Sequence, residues 1–80
     1  MKFVKYLVPE PLNGSNIAIY EERGGDTVRL VHEYDGKKVG SVETLEHNYK
    51  KMINGKDDPY ESLVYLLEKI FEYRLYYSKD

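Results

Sequence analysis

His32 and His47 are the only imidazoles in the chain, and there is no cysteine. Imidazole base catalysis and nitrogen ligation of a metal therefore rest on two residues, and thiolate chemistry is absent. His32 lies in an alternating apolar stretch with Leu30 and Val28 on its own face of a strand and Tyr34 close by. That placement suits a hydrogen-bonded core histidine better than a general base, which needs a positioned substrate and a partner. His47 falls among Glu46, Lys50 and Lys51 on the wet side of a short helix, so it is expected to be solvated. Neither imidazole has a second metal-binding residue at helical or hairpin spacing, and Asp57-Asp58 reads as a loop residue followed by a helix cap. Gly24-Gly25 and Gly36 are placed for turns, and neither opens a helix as a phosphate-binding loop must. The expectation is a protein without catalytic residues, cofactor or metal.

The elements that position these residues begin with an α+β pattern. Residues 3–8 are rich in strand formers and end at Pro9, and the stretch from Pro9 to Asn16 holds two prolines and a glycine, which marks a loop rather than a hairpin turn. The place of the first strand in the sheet is left open by that loop. Residues 17–22, 27–34 and 37–43 form a meander around Gly24-Gly25 and Asp35-Gly36. Two-residue turns at both places set Arg23 opposite Asp26 and Glu33 opposite Lys38, pairing opposite charges. In this register Ile17, Ile19, Val28, Leu30, His32 and Val39 share the core face. Ala18, Tyr20, Arg29, Val31, Glu33, Lys38, Gly40 and Val42 share the other.

Helical periodicity takes over at Leu45, with Thr44 as the expected N-cap and Gly55 as the stop, giving a short helix over residues 45–54. A long helix over residues 59–77 follows, with Asp58 as cap, Pro59 in the first turn and Glu61 near the positive end of the dipole. The expected architecture is one α+β domain over residues 1–80. A small antiparallel sheet of three or four strands, in the order strand, loop and three strands, is covered on one face by both helices.

The long helix is unusually apolar. From Tyr60 to Tyr77 its apolar and aromatic residues cover an arc of roughly 200°, about twice that of an ordinary surface helix. Glu61, Ser62, Glu68, Lys69 and Glu72 make the wet side. A chain of 80 residues is near the lower limit for a self-sufficient core. The excess therefore points to a homodimer or another protein partner, with Leu66, Tyr73, Tyr76 and Tyr77 as the candidate interface.

Charge separates the remaining options. The formal net charge of −2 argues against a general nucleic-acid binder, yet residues 37–56 carry five basic side chains against two acidic ones. Tyr20 and Arg29 on the sheet, joined by Tyr6 or Phe3, could stack bases while Lys38, Lys50 and Lys51 held phosphates. No aromatic ribonucleoprotein signature or arginine-rich segment accompanies them. The opening residues are interrupted by Lys5 and Pro9, too short an apolar run for a membrane span, so a cytoplasmic protein is expected. The absence of Gln, Cys and Trp beside abundant Lys, Glu and Tyr fits a thermophile's composition, of archaeal or viral origin. The resulting expectation is a non-catalytic regulator or inhibitor that self-associates through its last helix and binds another macromolecule. Nucleic acid is the alternative ligand.

Overall fold

The computed structural model describes residues 1–73. Four strands, β1 (Lys2–Tyr6), β2 (Ser15–Glu21), β3 (Thr27–Tyr34) and β4 (Lys37–Leu45), form one antiparallel sheet in chain order. Two helices follow, α1 (Glu46–Ile53) and α2 (Pro59–Lys69). This is the α+β architecture that the sequence pattern predicts. Val8, Ile17, Ile19, Val28, Leu30 and Tyr49 pack with Leu63, Leu66 and Leu67 in a single core between the helices and one face of the sheet. No helix among the described residues is long and apolar enough to cross a membrane.

The first strand has a definite place, because β1 pairs antiparallel with β2. The loop between them contains a hairpin turn that the two prolines obscure. Leu12 and Ser15 exchange two backbone hydrogen bonds of 2.9 Å around Asn13 (φ 50°) and Gly14 (φ 86°). Asn-Gly with both residues at positive φ is the pair that a type I′ turn requires. Pro9-Glu10-Pro11 is thus an excursion inserted between β1 and this turn. Asn16 ties the excursion down: its Nδ2 donates to the Val8 carbonyl at 3.0 Å, and the Val8 N–H donates to its Oδ1 at 3.3 Å. Both Val8 and Asn16 are buried, so the side-chain amide replaces a backbone partner that the looped chain cannot supply.

The register of β2 on β3 is as expected, with Ile17 opposite His32 and Ile19 opposite Leu30. Their connection is a four-residue loop rather than a two-residue turn, closed by the Glu22 N–H donating to the Thr27 carbonyl at 3.0 Å. Asp35-Gly36 does form a two-residue turn with both residues at positive φ, and Glu33 faces Lys38. Beyond that pair a bulge shifts β4 by one residue, placing Gly40 opposite His32 and Val42 opposite Leu30. A one-residue shift exchanges the faces of a strand. Val39 accordingly leaves the core and is 57% exposed, whereas Gly40 and Val42 move from the expected outer face to the helix side. Phe71 lies over Gly40, where an added Cβ would be in van der Waals contact with the ring at 3.4 Å.

Strand β4 runs directly into α1. Leu45, not Thr44, is the N-cap residue; it makes no side-chain cap hydrogen bond, and the Glu46 N–H is satisfied by the Asp26 carbonyl at 3.0 Å. Asp58 caps α2 as predicted, its Oδ1 accepting from the Tyr60 N–H at 2.9 Å. The helix ends eight residues before the expected boundary at residue 77. Glu72 takes the left-handed conformation (φ 53°), and the Tyr73 N–H reaches back to the Leu67 carbonyl at 2.9 Å. A left-handed residue just after a helix turns the chain away from its axis. Phe71 and Tyr73 thereby return to the sheet instead of extending the helical arc.

Most of the apolar surplus is therefore absorbed within the chain. Leu66 is fully buried, which makes it a core residue and removes it from the candidate interface. Tyr73 is half-buried against His32, while Tyr76 and Tyr77, with the rest of the expected helix to residue 77, lie outside the described residues. Ser62, expected on the wet side, is buried as well.

Candidate interaction face

The helices cover one side of the sheet; the other carries an aromatic patch built by cross-strand pairing. Phe3 stands opposite Tyr20, Tyr6 opposite Ala18, Ala18 opposite Val31, and Tyr20 opposite Arg29. A bulge at Val4 lets Phe3 and Tyr6 share this side although they are three residues apart. The Phe3 ring meets Tyr6 at 5.2 Å and Tyr20 at 5.5 Å between centroids, both edge to face, the favoured aromatic geometry. Phe3 and Tyr6 are each 46% exposed, although they lean on a sheet whose central residues Ala18 and Val31 are buried. Strand formers on both sides of β2 and β3 give the sheet two apolar faces, of which the described residues cover one.

The polar groups of this face are paired with one another. Arg29 Nε donates to Glu22 at 3.0 Å, Nη2 to Glu43 at 3.2 Å and Nη1 to the Ser41 hydroxyl at 3.4 Å. Such partly exposed pairs add little stability, but they hold the guanidinium against the sheet. The bulge in β4 creates the arrangement, because it brings Glu43 opposite Arg29. The Tyr6 hydroxyl donates to Glu33 at 3.1 Å, and that hydrogen bond to a carboxylate pushes the phenol above its ordinary pKa.

The expected nucleic-acid contacts do not form one surface. Tyr20, Arg29 and Lys38 lie on the open face, with Arg29 already engaged by two carboxylates. Lys50 and Lys51 lie on α1 in the other layer, and Lys50 donates to Glu46 at 2.8 Å, which pushes the lysine pKa up. Phe3 and Tyr6 join Tyr20 as the sequence suggests. Glu22, Glu43 and Ser41 are the members that sequence reasoning missed: Glu43 and Ser41 approach Arg29 because of the bulge, whereas Glu22 reaches it from just past the end of β2 in the expected β2–β3 register.

His32 is the centre of a different cluster. Its Nε2 lies 3.1 Å from the Ser15 hydroxyl, a pairing of residue types that in an open cleft could activate a nucleophile. Here Ser15 has no exposed surface and His32 is 3% exposed, so the bond joins two buried groups and the Ser15 hydroxyl is closed off from solvent. Tyr73 stacks edge-on against the imidazole at 4.7 Å, and Phe71 lies 5.6 Å away. These rings, with Tyr34, Val39 and Gly40, line a shallow cleft of about 310 Å³. Among the described residues no group of three or more His, Asp or Glu side chains is placed to hold a metal ion.

Burial lowers the His32 pKa below the ordinary imidazole value. The unfolded chain therefore takes up this proton first as pH falls. The histidine's contribution to stability is full above the unfolded pKa, about 6.5, and is lost as pH falls through the window between that value and the lowered folded one. Wild-type protein is expected to lose more stability on mild acidification than a His32→Gln variant, compared by denaturant titration above and below that window. Equal losses would contradict the assignment.

In comparisons with known proteins, no protein family, no curated protein and no solved structure matches this chain.

Proposed function

We propose that the protein is a non-catalytic interaction module that acts by presenting the open face of its sheet to a protein partner. The observation that carries this reading is the Phe3, Tyr6 and Tyr20 cluster, three aromatic rings in edge-to-face contact on a face that no element among the described residues covers. Aromatic residues ordered by their neighbours lose little entropy when a partner arrives, and they dominate the energetics of protein interfaces. The burial of Ser15 and His32 supports a role without chemistry at that pair. A regulatory protein, including an inhibitor, needs no more than such a binding face. Compared with the sequence expectation, the interaction surface moves from the last helix to the sheet.

A photoreactive phenylalanine analogue placed at Tyr6 is expected to give covalent adducts to protein in living cells, whereas the same analogue at the exposed Glu68 gives none. Absence of adducts from position 6, or equal yields from both positions, would contradict the reading.

A further inference from the structure

We infer that the occupant of the open face is a second copy of the same chain, packed sheet against sheet about a twofold axis. This rests on reading that face as an interface. Its charges are Arg29 and Lys38 against Glu22, Glu33 and Glu43: Arg29 is bridged to Glu22 and Glu43, Glu33 accepts from the Tyr6 hydroxyl, and Lys38 stands opposite Glu33 in the strand register. Such a surface offers no strong field to select a highly charged partner. A second copy can approach it without opposing unpaired like charges, while the aromatic cluster supplies apolar area for both halves.

The sheet edges point the same way. The edge strands β1 and β4 each contain a bulge, and each carries two lysines, Lys2 and Lys5 on one and Lys37 and Lys38 on the other. Bulges and lysines at an edge oppose addition of a further strand. Self-association by edge pairing is thus disfavoured on both sides, and packing by faces remains. A face meeting its own copy closes at two chains, whereas edge addition can continue indefinitely.

Size sets the strength. Four strands about 4.8 Å apart, with some six residues of about 3.3 Å rise each, present roughly 400 Å² in projection. Burying that area on both copies reaches only the lower end of specific interfaces, about 1,200 Å² or less of accessible surface. The dimer is accordingly reversible and dissociates on dilution.

The test is sedimentation velocity of the full chain across a dilution series, with circular dichroism of each variant. The expected result for wild type is a shift from the mass of one chain to that of two as concentration rises. Tyr20→Glu and Phe3→Glu should each weaken association at least about tenfold, the effect of losing an interface anchor, with unchanged dichroism. Glu68→Lys, on the exposed side of α2, should associate as wild type does. If Tyr20→Glu does not fold, Phe3→Glu, on the exposed edge strand, decides the question. A wild-type monomer at every concentration, or a mass beyond two chains, overturns the twofold dimer and leaves the face free for a different protein. A dimer that persists unweakened in the folded variants overturns both the dimer geometry and the reading of the face as an interface.

Discussion

Leu66→Glu is expected to abolish folding. Leu66 has no exposed surface and packs among Leu63, Leu67 and the apolar residues of β2 and β3. An unpaired charge forced into such a site costs about 3–5 kcal/mol in addition to the packing it displaces. The total stability of a domain this size is only about 4–12 kcal/mol. The variant should therefore lack a cooperative unfolding transition and show the circular dichroism of a disordered chain. A folded, monomeric Leu66→Glu protein would instead restore the residue to an interface and contradict its place in the core. The outcome decides whether α2 faces inward, which is the premise for assigning interaction to the other side of the sheet.

The second large effect is expected at Asn16, a residue with no part in the interface. Its side-chain amide is the partner of both the N–H and the carbonyl of Val8, and both residues are buried. Asn16→Ala leaves the two backbone groups without these bonds, at about 1–3 kcal/mol for each buried group that stays unsatisfied. A total loss of about 2–4 kcal/mol is expected from urea titration. Asn16→Asp provides a second comparison, because it keeps an acceptor for the Val8 N–H but sets a carboxylate oxygen against the Val8 carbonyl. It too should be destabilised. A loss below about 0.5 kcal/mol in Asn16→Ala, the size of an ordinary surface effect, would mean that the excursion holds itself in place by other contacts.

The difference between what the chain's pattern predicts and what it folds into comes from a few residues. Period-two alternation in β2 and β3, the Asp35-Gly36 turn and the Asp58-Pro59 helix start are local signals, and all three operate in the structure. The bulge in β4 is not local. The isolated Gly40 is compatible with a bulge but does not say which residue is extra, and the shift takes Val39 off the helix side, puts Val42 there and brings Glu43 to Arg29. Helix α2 fails differently: its apolar spacing continues past Lys69, but the left-handed Glu72 ends the regularity so that Phe71 and Tyr73 can cover Gly40 and His32. Tertiary packing overrides helix periodicity there. Asn13-Gly14 is a strong turn signal that the neighbouring prolines obscure.

The candidate face was legible in part. Tyr20, Arg29 and Val31 alternate correctly toward one side, and Phe3 and Tyr6 are evident strand aromatics. That Phe3 and Tyr6 meet Tyr20 depends on the pairing of β1 with β2, which a long proline-containing loop conceals. The splitting of the lysines between two layers is already implicit in the pattern, because Lys38 falls on the outer face of a strand while Lys50 and Lys51 fall on a helix that covers the other face.

The open face of the sheet as the working surface is the central claim, and residue-resolved nuclear magnetic resonance spectra from dilute to concentrated protein test it most directly. The predicted result is that concentration-dependent shifts concentrate at Phe3, Tyr6, Ala18, Tyr20, Val31 and Ser41, while α1 and α2 remain unchanged. Shifts confined to the helices, or spectra that do not change with concentration and still do not change when the protein captured by crosslinking from position 6 is added, would contradict it.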